Sequence, residues 1–134
     1  MIRKAEMITY KEPLMNVSGR SVVTALRTSL SNPVPSCMIV IHDSLDHKPL
    51  SVSHKFGGSA NGHNGIKDVI AALGGQKDFH RLRIGIGRPD AEGQMAVSDY
   101  VLGRMSNSER QFWGASGEGT ELIWKAIEKI IEKG

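Results

Sequence analysis

Between positions 55 and 67 the chain reads Lys55-Phe56-Gly57-Gly58-Ser59-Ala60-Asn61-Gly62-His63-Asn64-Gly65-Ile66-Lys67. Glycines at 57, 58, 62 and 65 permit positive φ and let a ligand come close to the backbone. Ile66, Val69, Ile70 and Leu73 follow at a spacing that predicts an amphipathic helix. Asn64 is the expected N-cap, at a helix end whose free N–H groups and dipole favour an anion or a developing oxyanion. A basic segment comes next, with Lys77, Arg81, Arg83 and Arg88 against a single acid, Asp78. On charge alone it suits a solvated strand edge as well as it suits phosphate.

Composition narrows the class. The 134 residues are 40% hydrophobic and 23% charged, as in an ordinary soluble globular protein with a real core, and the alternation of expected strands and helices makes it one α/β domain over 1–134. No apolar segment has the length needed to span a bilayer, and residues 1–6 lack the apolar run of a secretory signal. A net charge of +3 is only mildly basic and does not by itself imply a nucleic-acid partner. The single Cys37 excludes an internal disulfide and fits a reducing compartment; beside the apolar run 38–41 it is expected to be a buried structural thiol. His42, His47, His54 and His80, with Asp43 and Asp46, match no zinc-ligand spacing, so no metal is expected.

The elements that must position the loop follow from periodicity and punctuation. Residues 6–11 predict a short strand that Pro13 ends, and 15–19 a turn. Ser18 is the expected cap of a helix over 19–30 with Val22, Val23, Leu26 and Leu30 as its apolar stripe. The run 38–41 predicts a buried central strand, parallel to a neighbour, whose carboxyl end carries His42, Asp43 and Asp46, where ligands of α/β sheets bind. A more polar strand over 50–56 enters the glycine loop, and Gly74-Gly75 ends the helix that leaves it. Residues 81–87 predict another strand, with Leu82, Ile84 and Ile86 on one face and Arg83, Gly85 and Gly87 on the other. A short helix is expected around 99–102, then Ser106-x-x-Glu109 as a capping box. Gly114, Gly117 and Gly119 interrupt the helical tail before a final helix striped by Leu122, Ile123, Ala126, Ile127, Ile130 and Ile131.

Several of these stretches resemble, in order and spacing, the bacterial-type peptidyl-tRNA hydrolases. They are Met15-Asn16-Val17-Ser18-Gly19, His42-Asp43-x-Leu45-Asp46, Gly62-His63-Asn64-Gly65 within 55–67, Phe79-His80-Arg81-Leu82-Arg83-Ile84-Gly85-Ile86-Gly87-Arg88-Pro89 and Asp99-Tyr100-Val101-Leu102-Gly103. The resemblance implies a twisted mixed sheet flanked by helices. It also implies hydrolysis of the ester joining a peptide to its tRNA, by a histidine base acting on water, without metal or organic cofactor. By motif, Asp43 is the carboxylate that orients the histidine, and Asn64 positions water or the carbonyl oxygen. Asn16, Met15 and His63 lie on the substrate side, His63 as a supporting residue rather than the base. Lys55 and Arg83 form a clamp for tRNA phosphate, assisted by Arg81. The implied partner is peptidyl-tRNA, with no membrane, in the cytoplasm or alternatively the mitochondrion.

The departures lie mainly at the start. The family opens on a strand, an Asn-Pro-Gly turn and an Arg-His-Asn motif bearing the base, and residues 1–10 resemble none of these. The expectation is therefore an N-terminally incomplete domain, a monomer whose unpaired sheet edge gives a route to self-association, with a non-catalytic tRNA-binding chain or truncated remnant as the alternative. Ser44 stands where the family commonly has glutamate, and Leu50 where it has glycine.

Overall fold

The computed structural model describes residues 17–89, 97–101 and 103–133. The expected strand at 6–11, and Met15 and Asn16, lie outside the described residues. The elements are α1 (Gly19–Ser29), a 3₁₀ turn (Pro35–Cys37), β1 (Ile39–Ser44), β2 (Val52–Phe56), α2 (Asn64–Ala72), β3 (His80–Gly85), α3 (Val97–Val101), α4 (Asn107–Trp113) and α5 (Glu118–Lys133).

The strands form a sheet in the order β1-β3-β2. His80 N–H donates to Met38 O and Ile86 N–H to Ser44 O, so numbering rises together and β1 is parallel to β3. Gly57 N–H donates to Phe79 O and Gly85 N–H to Ser51 O, so β2 runs antiparallel. The sheet is mixed and the class α/β, as expected. Among the described residues, however, β3 is central and β1 lies at an edge, with Ile41 46% exposed. The strand expected over 38–41 is parallel to a neighbour, β3, as expected, but among the described residues it is half-buried and at an edge rather than buried and central: an unbroken apolar run marks a strand without saying which strand its neighbours enclose. The chain divides into two compact units, 1–40 with 55–81 and 41–54 with 82–134.

In the first unit α1 packs on α2. Ala60, Ile66, Val69 and Phe79 are buried together, with Val22, Met38, Val40, Ile70 and Leu73 against them. At Gly19 the two helices approach closely: a Cβ there would sit 2.3 Å from Asp68 O. The side chain of Ser18, the expected cap, makes no capping bond; Gly19 N–H instead donates to Asp68 Oδ2 at 2.7 Å. Val23 and Leu26 are buried as the stripe requires, while Leu30 is exposed beyond the end of the helix. Cys37 is exposed on its 3₁₀ turn, which corrects the expected buried thiol: prolines on both sides of Val34 keep this segment out of the sheet.

In the second unit the capping box of α4 is present, Ser106 Oγ accepting from Glu109 N–H and Glu109 Oε1 from Ser106 N–H. The glycines end α4 and start α5 as expected, and Thr120 Oγ1 donates to Gly114 O at 2.6 Å to tie the joint. At Gly119 the ring of Trp113 would lie 2.4 Å from a Cβ, so only glycine lets α5 begin against α4. Ile130 is buried and Ile123, Ala126, Ile127 and Ile131 half-buried, whereas Leu122 is exposed.

Candidate functional site

The glycine-rich loop belongs to the first unit, between the end of β2 and the start of α2. Gly57, Gly58 and Gly62 all have φ between 72° and 84°, and Asn61 joins them at 50°. Beyond the Gly57 N–H, which still donates to Phe79 O, such a backbone leaves the β2–β3 pairing, and something must hold its carbonyls. That role falls to Arg81. Its side chain is 1% exposed, and Nη2 donates to Ser59 O at 2.8 Å and Gly57 O at 3.3 Å. A charge buried to this degree is tolerated because polar acceptors surround it. The phosphate contact expected of Arg81 therefore differs from its observed position, beneath the loop and closed to solvent.

Lys55 lies over the same loop: its Nζ is 2.7 Å from where a Gly58 Cβ would stand. At the other end of the loop His63 caps α2, with Nδ1 accepting from Ile66 N–H at 3.1 Å. This corrects the expectation that Asn64 is the cap. An imidazole nitrogen two bonds beyond Cβ reaches the third helical N–H much as a carboxamide oxygen would, and His63 has the extended backbone that a cap needs, with φ −73° and ψ 110°. Two consequences follow. With Nδ1 accepting, the neutral His63 ring carries its proton on Nε2, so it presents a donor and not a base. Asn64 becomes the first helical residue, exposed and released from capping. Lys55, His63, Asn64 and Arg81 are thus brought together around one loop.

Asp43 and Arg83 belong to the second unit. Asp43 is half-buried near the carboxyl end of β1, as expected. Its carbonyl accepts from His42 Nδ1 at 2.8 Å, fixing that ring beside it. Arg83 on β3 donates from Nη2 to Ser53 Oγ at 2.7 Å. Its Nε is buried with no hydrogen-bond partner among the described residues. His54 on β2 is largely exposed, and its pKa is pushed below its ordinary value, first by partial desolvation and then by Lys133 and Arg83.

The turn after β1 carries features that motif reading left unassigned. Ser44 Oγ and His47 Nδ1 are 2.7 Å apart, and Arg88 Nη2 donates to Asp46 Oδ1 at 2.6 Å, which holds the Asp46 carboxyl below the usual carboxylate range. Leu50 sits at φ 60°, the left-handed region, and Gly85 meets Lys48 O at 2.0 Å from an ideal Cβ. Leu50 is the one of these that sequence reading could find, because glycine is the family's residue there. Among the described residues no three His, Cys, Asp or Glu side chains are grouped to hold a metal, and no helix is long and apolar enough to cross a membrane.

Fold and loop together define an α/β protein with a braced, polar, glycine-rich loop feeding a helix. The peptidyl-tRNA hydrolase family model matches residues 2–134, and the chain belongs to that family. It is 43% identical over 115 residues to a peptidyl-tRNA hydrolase of Shewanella denitrificans, covering 83% of this chain and 57% of that protein. A peptidyl-tRNA hydrolase of Pseudomonas putida is 47% identical over 103 residues, covering 76% and 50%. The crystal structure of peptidyl-tRNA hydrolase from Acinetobacter baumannii superposes with a TM-score of 0.67 at 34% identity, over 88% of this chain and 54% of that one. The chain spans about half the length of the relatives it matches.

Proposed function

We propose that this chain acts on peptidyl-tRNA, hydrolysing the ester that joins peptide to tRNA. The observation that carries the reading is the loop 55–67: a buried Arg81 fixes its carbonyls while Asn64 stays exposed at a helix start. In this reading the Asn64 carboxamide donates to the substrate carbonyl oxygen or holds the attacking water, where charge develops in the transition state. By the family resemblance Asp43 is the carboxylate that orients a base histidine and stabilises its imidazolium form, a part to which no histidine of residues 1–134 is assigned. Met15, Asn16 and His63 contact the substrate near the ester, His63 through its Nε2 proton. Lys55 and Arg83 bind tRNA phosphate, a point charge and a planar fork respectively. Arg81 serves that clamp from below, by shaping the loop on which Lys55 lies.

None of the five histidines stands in an Arg-His-Asn context, and none is assigned as the base. The reaction needs only side chains and water, with no metal or cofactor. Residues 1–134 are taken as one domain, since the family match runs through both units, and as a monomer in the cytoplasm.

The test is release of peptide from an N-acetylaminoacyl-tRNA by the purified chain. Turnover above buffer is expected, and its absence overturns the catalytic reading for this chain. In parallel, Lys55→Glu with Arg83→Glu should weaken tRNA binding and flatten its dependence on salt. Unchanged affinity and slope would remove RNA from the proposal.

A further inference from the structure

The chain carries two Asn-Gly pairs, Asn61-Gly62 and Asn64-Gly65, and the fold gives them opposite settings. Asn61 and Gly62 are the middle residues of a turn closed by His63 N–H donating to Ala60 O at 3.0 Å, and their φ values are 50° and 84°. Positive φ at both positions is the mark of a type I′ turn, for which Asn-Gly is a favoured pair. Both residues are exposed, and a Cβ built on Gly62 meets nothing within 4 Å. Asn64 and Gly65 instead open α2, where Gly65 is buried.

We propose that Asn61 is a site of spontaneous deamidation, to which the fold directs the reaction while sparing Asn64. The Gly62 nitrogen attacks Asn61 Cγ as its deprotonated amide. The new N–C bond closes a succinimide ring, the Cγ–Nδ2 bond breaks, and the side-chain nitrogen takes a proton from water and leaves as ammonia. Water then opens the ring, to aspartate if it attacks Cγ and to isoaspartate if it attacks the main-chain carbonyl carbon. Overall a water is taken up and ammonia is released, with no other reactant.

The surroundings of Asn61 suit each step. Ser59 Oγ donates to Asn61 Oδ1 at 2.8 Å, where negative charge develops as the carbon is attacked. The Gly62 N–H enters no backbone hydrogen bond among the described residues, and the turn is closed by one such bond, so a small local opening frees the nitrogen. Asn61 also lines a cavity of about 380 Å³ with Lys67 and Lys77 and no acid, so the carboxylate produced meets positive charge. Asn64 has none of this freedom, because its backbone is part of a packed helix. The isoaspartyl product adds a methylene to the backbone between Ser59, whose carbonyl Arg81 holds, and His63, which caps α2. Either product alters the loop irreversibly, so the reaction acts as a timer on it.

The test incubates the full folded chain at mildly alkaline pH, then digests it and fragments the peptides by mass spectrometry to locate each converted residue. The same chain unfolded in urea is the reference. Conversion at Asn61 with Asn64 intact is expected in the folded chain, and conversion of both in urea. Ser59→Ala should slow Asn61 several-fold in the folded chain and leave the rate in urea unchanged, and Asn61→Gln should abolish the acidic form of the folded chain. An Asn61 that stays intact in the folded chain while it converts in urea overturns the proposal, as does Asn64 converting as fast as Asn61. A folded Ser59→Ala chain that converts at the parent rate overturns the part given to Ser59.

Discussion

Arg81 Nη2 donates to the carbonyl of Ser59 at 2.8 Å, joining the central strand to a loop 22 residues earlier in the chain. The contact reverses the usual meaning of an arginine in a basic stretch: its charge is spent on the protein's own backbone. Replacing Arg81 with Met keeps the length but removes the donor, leaving the carbonyls of Ser59 and Gly57 without it. Charged hydrogen bonds of this kind contribute about 1.5–3 kcal/mol, so a loss near the upper end is expected in urea unfolding. Affinity for tRNA should fall as well, although Arg81 is buried, because Lys55 rides on the loop that Arg81 holds. Unfolding that matches the parent chain would refute the bracing role.

Leu50 at φ 60° is the clearest local conflict between residue and backbone. A non-glycine residue in the left-handed region costs about 1–2 kcal/mol, while glycine raises unfolded-chain entropy by about 0.4–1 kcal/mol. Leu50 is also 39% exposed, so its side chain contributes little burial. Leu50→Gly is therefore expected to stabilise the chain by about 0.5–1 kcal/mol in denaturant melts. A loss of stability would mean that the Leu50 side chain packs more usefully than its exposure implies.

Asp68 caps α1 from α2, in place of Ser18, whose side chain does not cap. Caps of this type contribute about 1 kcal/mol. Asp68→Ala should cost about that much in chemical denaturation, while Ser18→Ala should cost less. The reverse order would return the cap to Ser18.

The elements legible in the sequence were those with local signals. The Ser106 and Glu109 box, the glycines at 74 and 75 that end α2, and the apolar stripe of α5 all appear where expected. What escaped depended on partners distant in sequence. Arg81 and Arg83 alternate along one strand and read alike, yet only the fold buries the first and pairs the second with Ser53. The strand at 39–44 reads as central because its run is apolar, but sheet order is set by long-range pairing, which no window reveals. Asn64 reads as the cap because asparagine is the commoner residue for that task, yet His63 fills it. The candidate site was legible as residue types from the family motifs; which of those side chains face solvent was not.

His54 carries a pH dependence whose sign is fixed by its surroundings. Partial desolvation first, then Lys133 and Arg83, lower the folded pKa of this largely exposed ring below the ordinary 6.5, so the effect is small. The unfolded chain therefore binds the proton more readily, and stability rises with pH across that interval. As pH falls from about 6.5 through the folded pKa, the chain loses stability, and the loss is complete below it. His54→Gln should remove this part of the slope. The check is the thermal midpoint of both proteins between pH 7 and 5; parallel curves would exclude His54 as the source.

Asn64 allows stability and function to be separated with one atom changed. It occupies the first turn of α2, where a negative charge meets the positive end of the helix dipole and is favourable by about 0.3–1 kcal/mol. Asn64→Asp keeps the shape, so the variant should melt slightly higher than the parent. The same change removes the amide donor and sets a carboxylate against a developing oxyanion. Loss of one such donor costs about 100- to 1000-fold in the chemical step, so peptidyl-tRNA cleavage should fall by that order. A variant both more stable and much less active is the expected pair of results, and one that a merely structural Asn64 cannot produce. Equal cleavage rates, measured in single turnover at saturating enzyme, would take the oxyanion role from Asn64 and leave it a helix residue only.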